Sequence, residues 1–260
     1  TPVVGCLAVR ESLTRWLEAP FASRRKAGKV LPTLLDIQLP FALEECSYDF
    51  LPAKGGPRVT RSLAVAARQE DVRRKVEAMA ALGLDPMALD QEGLALWTQS
   101  LYEAPPGPGE EDARRVIVSL RGEQGTLVMG RGREFISAHG IRPGDVGQIR
   151  RLLKSAPAAP LAGAEAGLPE GPSPVRWFWA GPGAADARLV ADLHGQLGRE
   201  WPGPSFVHAE PEAFLARALA TRALLPGPLR CDLRSGALAH PAVLRRSRRQ
   251  LTKAAALFLA

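Results

Sequence analysis

Residues 20–50 read PFASRRKAGKVLPTLLDIQLPFALEECSYDF, and the rest of the chain falls into place around this stretch. Pro20-Phe21 opens it, Pro40-Phe41 closes its helical part, and Tyr48-Asp49-Phe50 leads into an extended segment. Ser23 suits a helix N-cap. Ala27, Val30, Leu31, Leu34 and Leu35 recur every three to four residues, which predicts a helix with one apolar face. Pro32 removes a backbone donor and crowds the preceding turn, so a kink or a restart is expected there. On these grounds alone the stretch is an amphipathic helix clamped by two prolines, with Arg24, Arg25, Lys26 and Lys29 as solvated charge.

Upstream, Val3 to Leu17 reads as two short strands or as one strand and its continuation. Downstream, SYDFLPA and RVTRSLAVAAR flank Lys54-Gly55-Gly56-Pro57 and predict an antiparallel hairpin. Gln69 to Leu82 is a helix on Val72, Val76, Met79 and Ala80, stopped by Gly83. LDPMALD follows as a strand and Gln91 to Tyr102 as a second helix. Residues 104–115 begin as a Pro/Gly linker. VIVSL, TLVMG and EFISAHG then form three strands joined by glycine turns, and Asp145 to Ser155 is a helix. A second Ala/Pro/Gly linker covers 156–174. VRWFWAG is a buried strand whose period of two puts Trp177 and Trp179 on one face, with core packing preferred over an aromatic contact surface. A helix on Leu189, Val190, Leu193 and Leu197, the strand SFVHA and a helix over Glu212 to Leu225 complete the alternation. The class is α/β, in two lobes.

The 260 residues, 46% of them hydrophobic and 23% charged, suit a folded protein with a sizeable core. Cys6, Cys46 and Cys231 are odd in number and far apart, which disfavours a disulfide framework or a zinc site and points to a reducing compartment. The four histidines fall in four different elements. Net charge is +7, and no acid follows Asp232, whereas Arg245, Arg246, Arg248, Arg249 and Lys253 precede the apolar AAALFLA. A basic cluster running into an apolar segment reads as the cytoplasmic flank of a membrane helix. Its competing reading is nucleic-acid association, disfavoured because no aromatic residues interleave the cations. No Walker GxxxxGK[ST] run and no GxGxxG fingerprint occurs.

Val3 to Leu101 resembles the PilM/GspL family, the actin-like cytoplasmic modules of type IV pilus and type II secretion machines. The resemblance rests on LEAPF (Leu17 to Phe21), SRRKAGKVLP, LPF at Leu39 to Phe41, YDF at Tyr48 to Phe50, the AVAAR strand and ALGLDP at Ala81 to Pro86. VIVSLRGEQGTLVMGRGREFISAHG, WFWAGPGA and LRCDLRSGAL continue it more loosely. It implies an actin-like (FtsA-like) two-lobed α/β fold: a first lobe over 1–103 with a subdomain inserted at about 20–68, and a second lobe over 116–244. The first strands of the first lobe would precede Thr1. The membrane flank points to the L-like arrangement, with roughly 20 apolar residues expected from about Ala254 onward.

No catalysis is expected. A nucleotide-bound Mg²⁺ needs hard oxygen ligands, and the strand that would supply an acid in the second half ends in Ser119. Gly122, Gly125 and Thr126 in the following hairpin, with Gly181 and Gly183 after the tryptophan strand, are the vestigial nucleotide-binding candidates; plain tight turns are the preferred reading. No cofactor and no metal are expected. By resemblance the partners are a secretion ATPase and inner-membrane platform subunits at the cytoplasmic face of the bacterial inner membrane, with a homodimer allowed for and no nucleic acid. Arg24, Arg25, Lys26 and Lys29 become the candidate partner surface, where charge reversal should weaken binding without harming the fold. The alternative is an actin-like nucleotide-binding protein of a pilus system with weak or no ATPase activity.

Overall fold

A computed structural model of the protein describes residues 3–55, 58–155, 175–224 and 230–241. The basic residues Arg245, Arg246, Arg248, Arg249 and Lys253, and with them the membrane-flank reading, lie outside the described residues. Among the described residues no helix is long and apolar enough to cross a membrane.

The stretch quoted first forms one helix, α1 (Arg24–Asp36), capped by the Ser23 side chain. It does not restart at Pro32. The residue four earlier, whose carbonyl a proline ring crowds and leaves without a donor, is Gly28, exposed and with open space around it. Ala27, Leu31 and Leu35 are buried against a three-stranded antiparallel sheet, β2 (Leu13–Ala19), β4 (Thr60–Arg68) and β3 (Cys46–Gly55), in that order. The strand before Pro20 therefore belongs to the same unit as the helix. Leu17, Ala19, Ala64 and Ala66 supply the sheet side of this small core. Small side chains on β4 let α1 approach closely.

β1 (Val3–Leu7) pairs in parallel with β5 (Pro86–Gln91). α2 (Gln69–Ala80) lies between the inserted sheet and β5, and α3 (Glu92–Glu103) follows β5 directly. The second half is a five-stranded sheet in the order β10-β9-β6-β7-β8. β6 (Arg114–Arg121), β7 (Gln124–Arg131) and β8 (Glu134–Ile141) are the predicted antiparallel meander. β9 (Val175–Ala180) and β10 (Ser205–Val207) add parallel strands on the other side of β6. Both faces of this sheet are covered, so its central strands are apolar on both faces at their middles, at Val116, Ile117 and Val118 on β6 and Leu127, Val128 and Met129 on β7. One face, with Val116, Val118, Trp177 and Trp179, packs on α4 (Val146–Ser155) and α5 (Ala187–Leu197). The opposite face, with Ile117, Val128, Phe135 and Phe178, packs on α3 and α6 (Phe214–Leu224).

Trp177 and Trp179 are fully buried and stack with centroids 6.0 Å apart. Their indole N–H groups donate to Trp201 O and Ser205 Oγ, so both are core residues. α3 exceeds its sequence reading: Leu94, Ala95, Leu96 and Trp97 are all buried, because sheet and α6 enclose it from two sides. Residues 230–241 return to β5. Leu233 N donates to Leu89 O at 2.8 Å, and Leu89 N donates to the Asp232 carboxylate at 3.1 Å. Arg234 and His240 both hold Asp85, at 2.6 and 2.9 Å. The open side of β5 is thus covered by the chain's own strap, and Arg234 draws the Asp85 carboxyl below its ordinary range.

Candidate functional site

The paired ends of β6 and β7, the end of β8, the connection between β1 and β2, and the start of α3 line a cavity of about 350 Å³. This is where the sequence placed its phosphate-hairpin candidates. Gly125 and Thr126 line it, together with Ser119, Arg10, Arg121, Arg142 and Glu92. Gly122, Gly181 and Gly183 are not among the lining residues. Arg24, Arg25, Lys26 and Lys29 sit elsewhere, exposed on the first two turns of α1.

Each nominated glycine has a structural reason. Gly122 holds φ +59° in the hairpin turn, a left-handed conformation that a side chain disfavours. A Cβ on Gly125 would lie 2.7 Å from Ser119 O. Gly181 has φ +82° and donates its N–H to Pro211 O at 2.7 Å; a Cβ there would meet Leu120 O at 2.4 Å. At Gly183 the clash is with Leu120 Cβ, at 2.8 Å. The two glycines after β9 let the chain turn hard against the end of β6.

The walls of the cavity are joined by the protein's own side chains. Glu92, buried in the first turn of α3, accepts from Val9 N at 3.2 Å. Its other oxygen lies 3.6 Å from Arg121, at the end of β6. Arg10 donates across the cavity to the Gln124 side chain on β7. Arg142 closes a third side, its backbone N–H held by Gln148 at 2.9 Å. Among the described residues, three cations and one already engaged carboxylate are therefore the charged groups of this cavity. Ser119 is buried at the strand end and offers a hydroxyl, a poor replacement for a carboxylate next to Mg²⁺. Among the described residues no group of His, Cys, Asp and Glu could hold a metal ion.

Nearby, the Cys6 thiol is pushed up to about 12, first by burial and then by the Glu92 charge, so it is no nucleophile. Sequence reasoning passed over Glu92, Arg121, Arg10 and Arg142. They share no motif, and the one local cue is the acid-rich Asp90-Gln91-Glu92 where a strand becomes a helix.

No family model matches the chain, and no curated protein matches it. Solved structures do. The PilM–PilN type IV pilus biogenesis complex aligns with TM-score 0.65 at 19% identity, over 86% of this chain and 80% of that one. The cytoplasmic domain of EpsL, an inner-membrane component of the type II secretion system of Vibrio cholerae, aligns with TM-score 0.53 at 16% identity, over 91% and 79%. A Bacteroides thetaiotaomicron protein of actin-like ATPase fold and unknown function aligns at 0.49, with 10% identity over 85% and 73%. The chain has the actin-like fold of the pilus M and secretion L cytoplasmic modules, as its sequence motifs implied.

Proposed function

We propose that the chain is a non-hydrolysing scaffold of a bacterial pilus or type II secretion platform. It works at the cytoplasmic face of the inner membrane, docking a secretion ATPase and platform subunits through its surfaces. The fold shared with the PilM and EpsL modules supports the assembly role. The observation that carries the scaffold reading is the cavity beside β6. The Glu92 carboxylate is spent on Val9 N and Arg121, and Ser119 stands where a metal-binding acid is needed. Cross-cavity pairs from Arg10 and Arg121 hold the walls together without a ligand.

A melting experiment with millimolar ATP-Mg tests this reading. A ligand that binds only the folded state at 100 times its Kd adds about 2.7 kcal/mol of stability. The scaffold reading predicts no shift in Tm, and a clear upward shift overturns it. The same experiment decides the alternative, a nucleotide-binding pilus protein, for which the three arginines around the cavity speak.

A further inference from the structure

We propose that the tip of the inserted sheet is a membrane-contact surface for anionic lipid headgroups, a reading that rests on the platform function above. The tip combines two segments. Arg24, Arg25, Lys26 and Lys29 come from the start of α1, and Arg58 lies two residues before β4 begins at Thr60. Thr60 joins the segments: its backbone pairs with Ala19, and its hydroxyl donates to Phe21 O at 2.6 Å. Phe21 is thereby presented at the tip on a fixed backbone, 36% exposed.

Every one of the five cations is exposed, and among the described residues none has a carboxylate partner. From Ala19 to Leu35, and again from Phe50 to Gln69, the sequence contains no acidic residue. The nearest acid, Glu18, is taken by Arg61. Folding does not account for this arrangement, because cations in a first helical turn oppose the helix dipole. α1 has no acid in its first turn and carries Asp36 at its other end.

Unanchored cations of one sign around a single exposed aromatic suit a diffuse, fluid negative surface with headgroups at the ring's level. A protein partner is more commonly met by a concave pocket and fixed, bidentate arginines. Neither described cavity, beside β6 or between Pro40-Phe41 and Arg68, lies at this tip.

The test uses the full chain with an environment-sensitive fluorophore on Ala22→Cys. Ala22 is exposed, whereas burial pushes the native thiols to about 12 at Cys6, about 11 at Cys46 and well above the ordinary range at Cys231, so labelling favours the new site. Vesicles of phosphatidylcholine with roughly a third phosphatidylglycerol should shift the emission. Pure phosphatidylcholine should not, and raised salt should abolish the shift. Combined Arg24→Glu, Arg25→Glu and Lys26→Glu should lower the partition read by the probe at least about a hundredfold, the factor lost with three cations at an anionic leaflet. The same variant should melt no lower than the parent, since acids suit a helix N-terminus; loss of signal is then not unfolding.

An unchanged emission while the chain still sediments with anionic vesicles overturns the proposal, because attachment then lies elsewhere. A shift produced only by an acidic protein partner also overturns it and reassigns the tip to protein docking. Failure of the platform reading is seen separately, as stabilisation by ATP-Mg with the probe response intact.

Discussion

Arg222→Ala lowers the unfolding free energy by about 3–5 kcal/mol in urea titrations, because it leaves a buried carboxylate without its cation. Arg222 and Asp90 are each nearly inaccessible, with side-chain exposures of 4% and 3%. The guanidinium grips both Asp90 oxygens, its Nη2 at 2.8 Å from Oδ1, and its Nη1 reaches Thr98 Oγ1 at 2.7 Å. Asp90 also accepts from Gln91 N at 2.8 Å and from the Cys231 thiol at 3.0 Å. The Asp90–Arg222 pair at the end of β5 therefore ties together α3, α6 and the strap. Asp90→Asn should cost a similar amount, since it strands the arginine instead. Removing both charges by Asp90→Leu with Arg222→Met should recover most of the loss, because desolvation offsets much of a buried pair's attraction. If the double variant is as unstable as the sum of the single ones, the pair is not coupled and this account of the junction fails. Cys231→Ala, which removes one hydrogen bond, should cost only about 1 kcal/mol.

That junction also shows where the sequence stops being readable. Local periodicity carried far: the apolar face of α1, the meander β6 to β8, and the shared face of Trp177 and Trp179 all follow from spacing within one element. The strap does not. Its contacts join Leu233 to Leu89 and Cys231 to Asp90, the latter pair 141 residues apart, and no repeat in LRCDLRSGAL signals a partner. The cavity beside β6 was half legible. A strand, a glycine turn and Thr126 located the hairpin, and Ser119 at the strand end lines the cavity beside it. Glu92 was hidden, because its meaning depends on Arg121 arriving from another sheet. Gly181 and Gly183 read first as tight turns and only second as vestigial nucleotide-binding residues, and the group they approach is Leu120. Glycine spacing in a sequence cannot separate backbone packed on backbone from backbone packed on a ligand.

A glycine the sequence did not single out gives the second large effect: Gly130→Ala should destabilise the protein by about 3 kcal/mol, the upper part of the overpacking range. Gly130 lies on β7 beneath α3, where an added Cβ would sit 2.1 Å from Trp97 Cη2 and 2.4 Å from Glu134 O. Trp97 is fully buried and meets Phe135 edge-on at 6.3 Å, so it has no free direction in which to move. The backbone is no freer, because the β7–β8 register already shifts between Met129 and Gly130. Trp97→Leu removes the ring atoms that clash but not the Glu134 carbonyl. The double variant should therefore be more stable than the sum of the single changes by about 1 kcal/mol, and still well below the parent. α3 carries Glu92 in its first turn, five residues before Trp97, so the same substitution should loosen the Glu92–Arg121 contact at the cavity. Hydrogen exchange at the start of α3 would read this as faster exchange than in the parent at matched global stability. A Gly130→Ala protein within about 0.5 kcal/mol of the parent would mean that α3 is not locked onto β7 through Trp97. The cavity would then owe its shape to the cross-wall pairs alone.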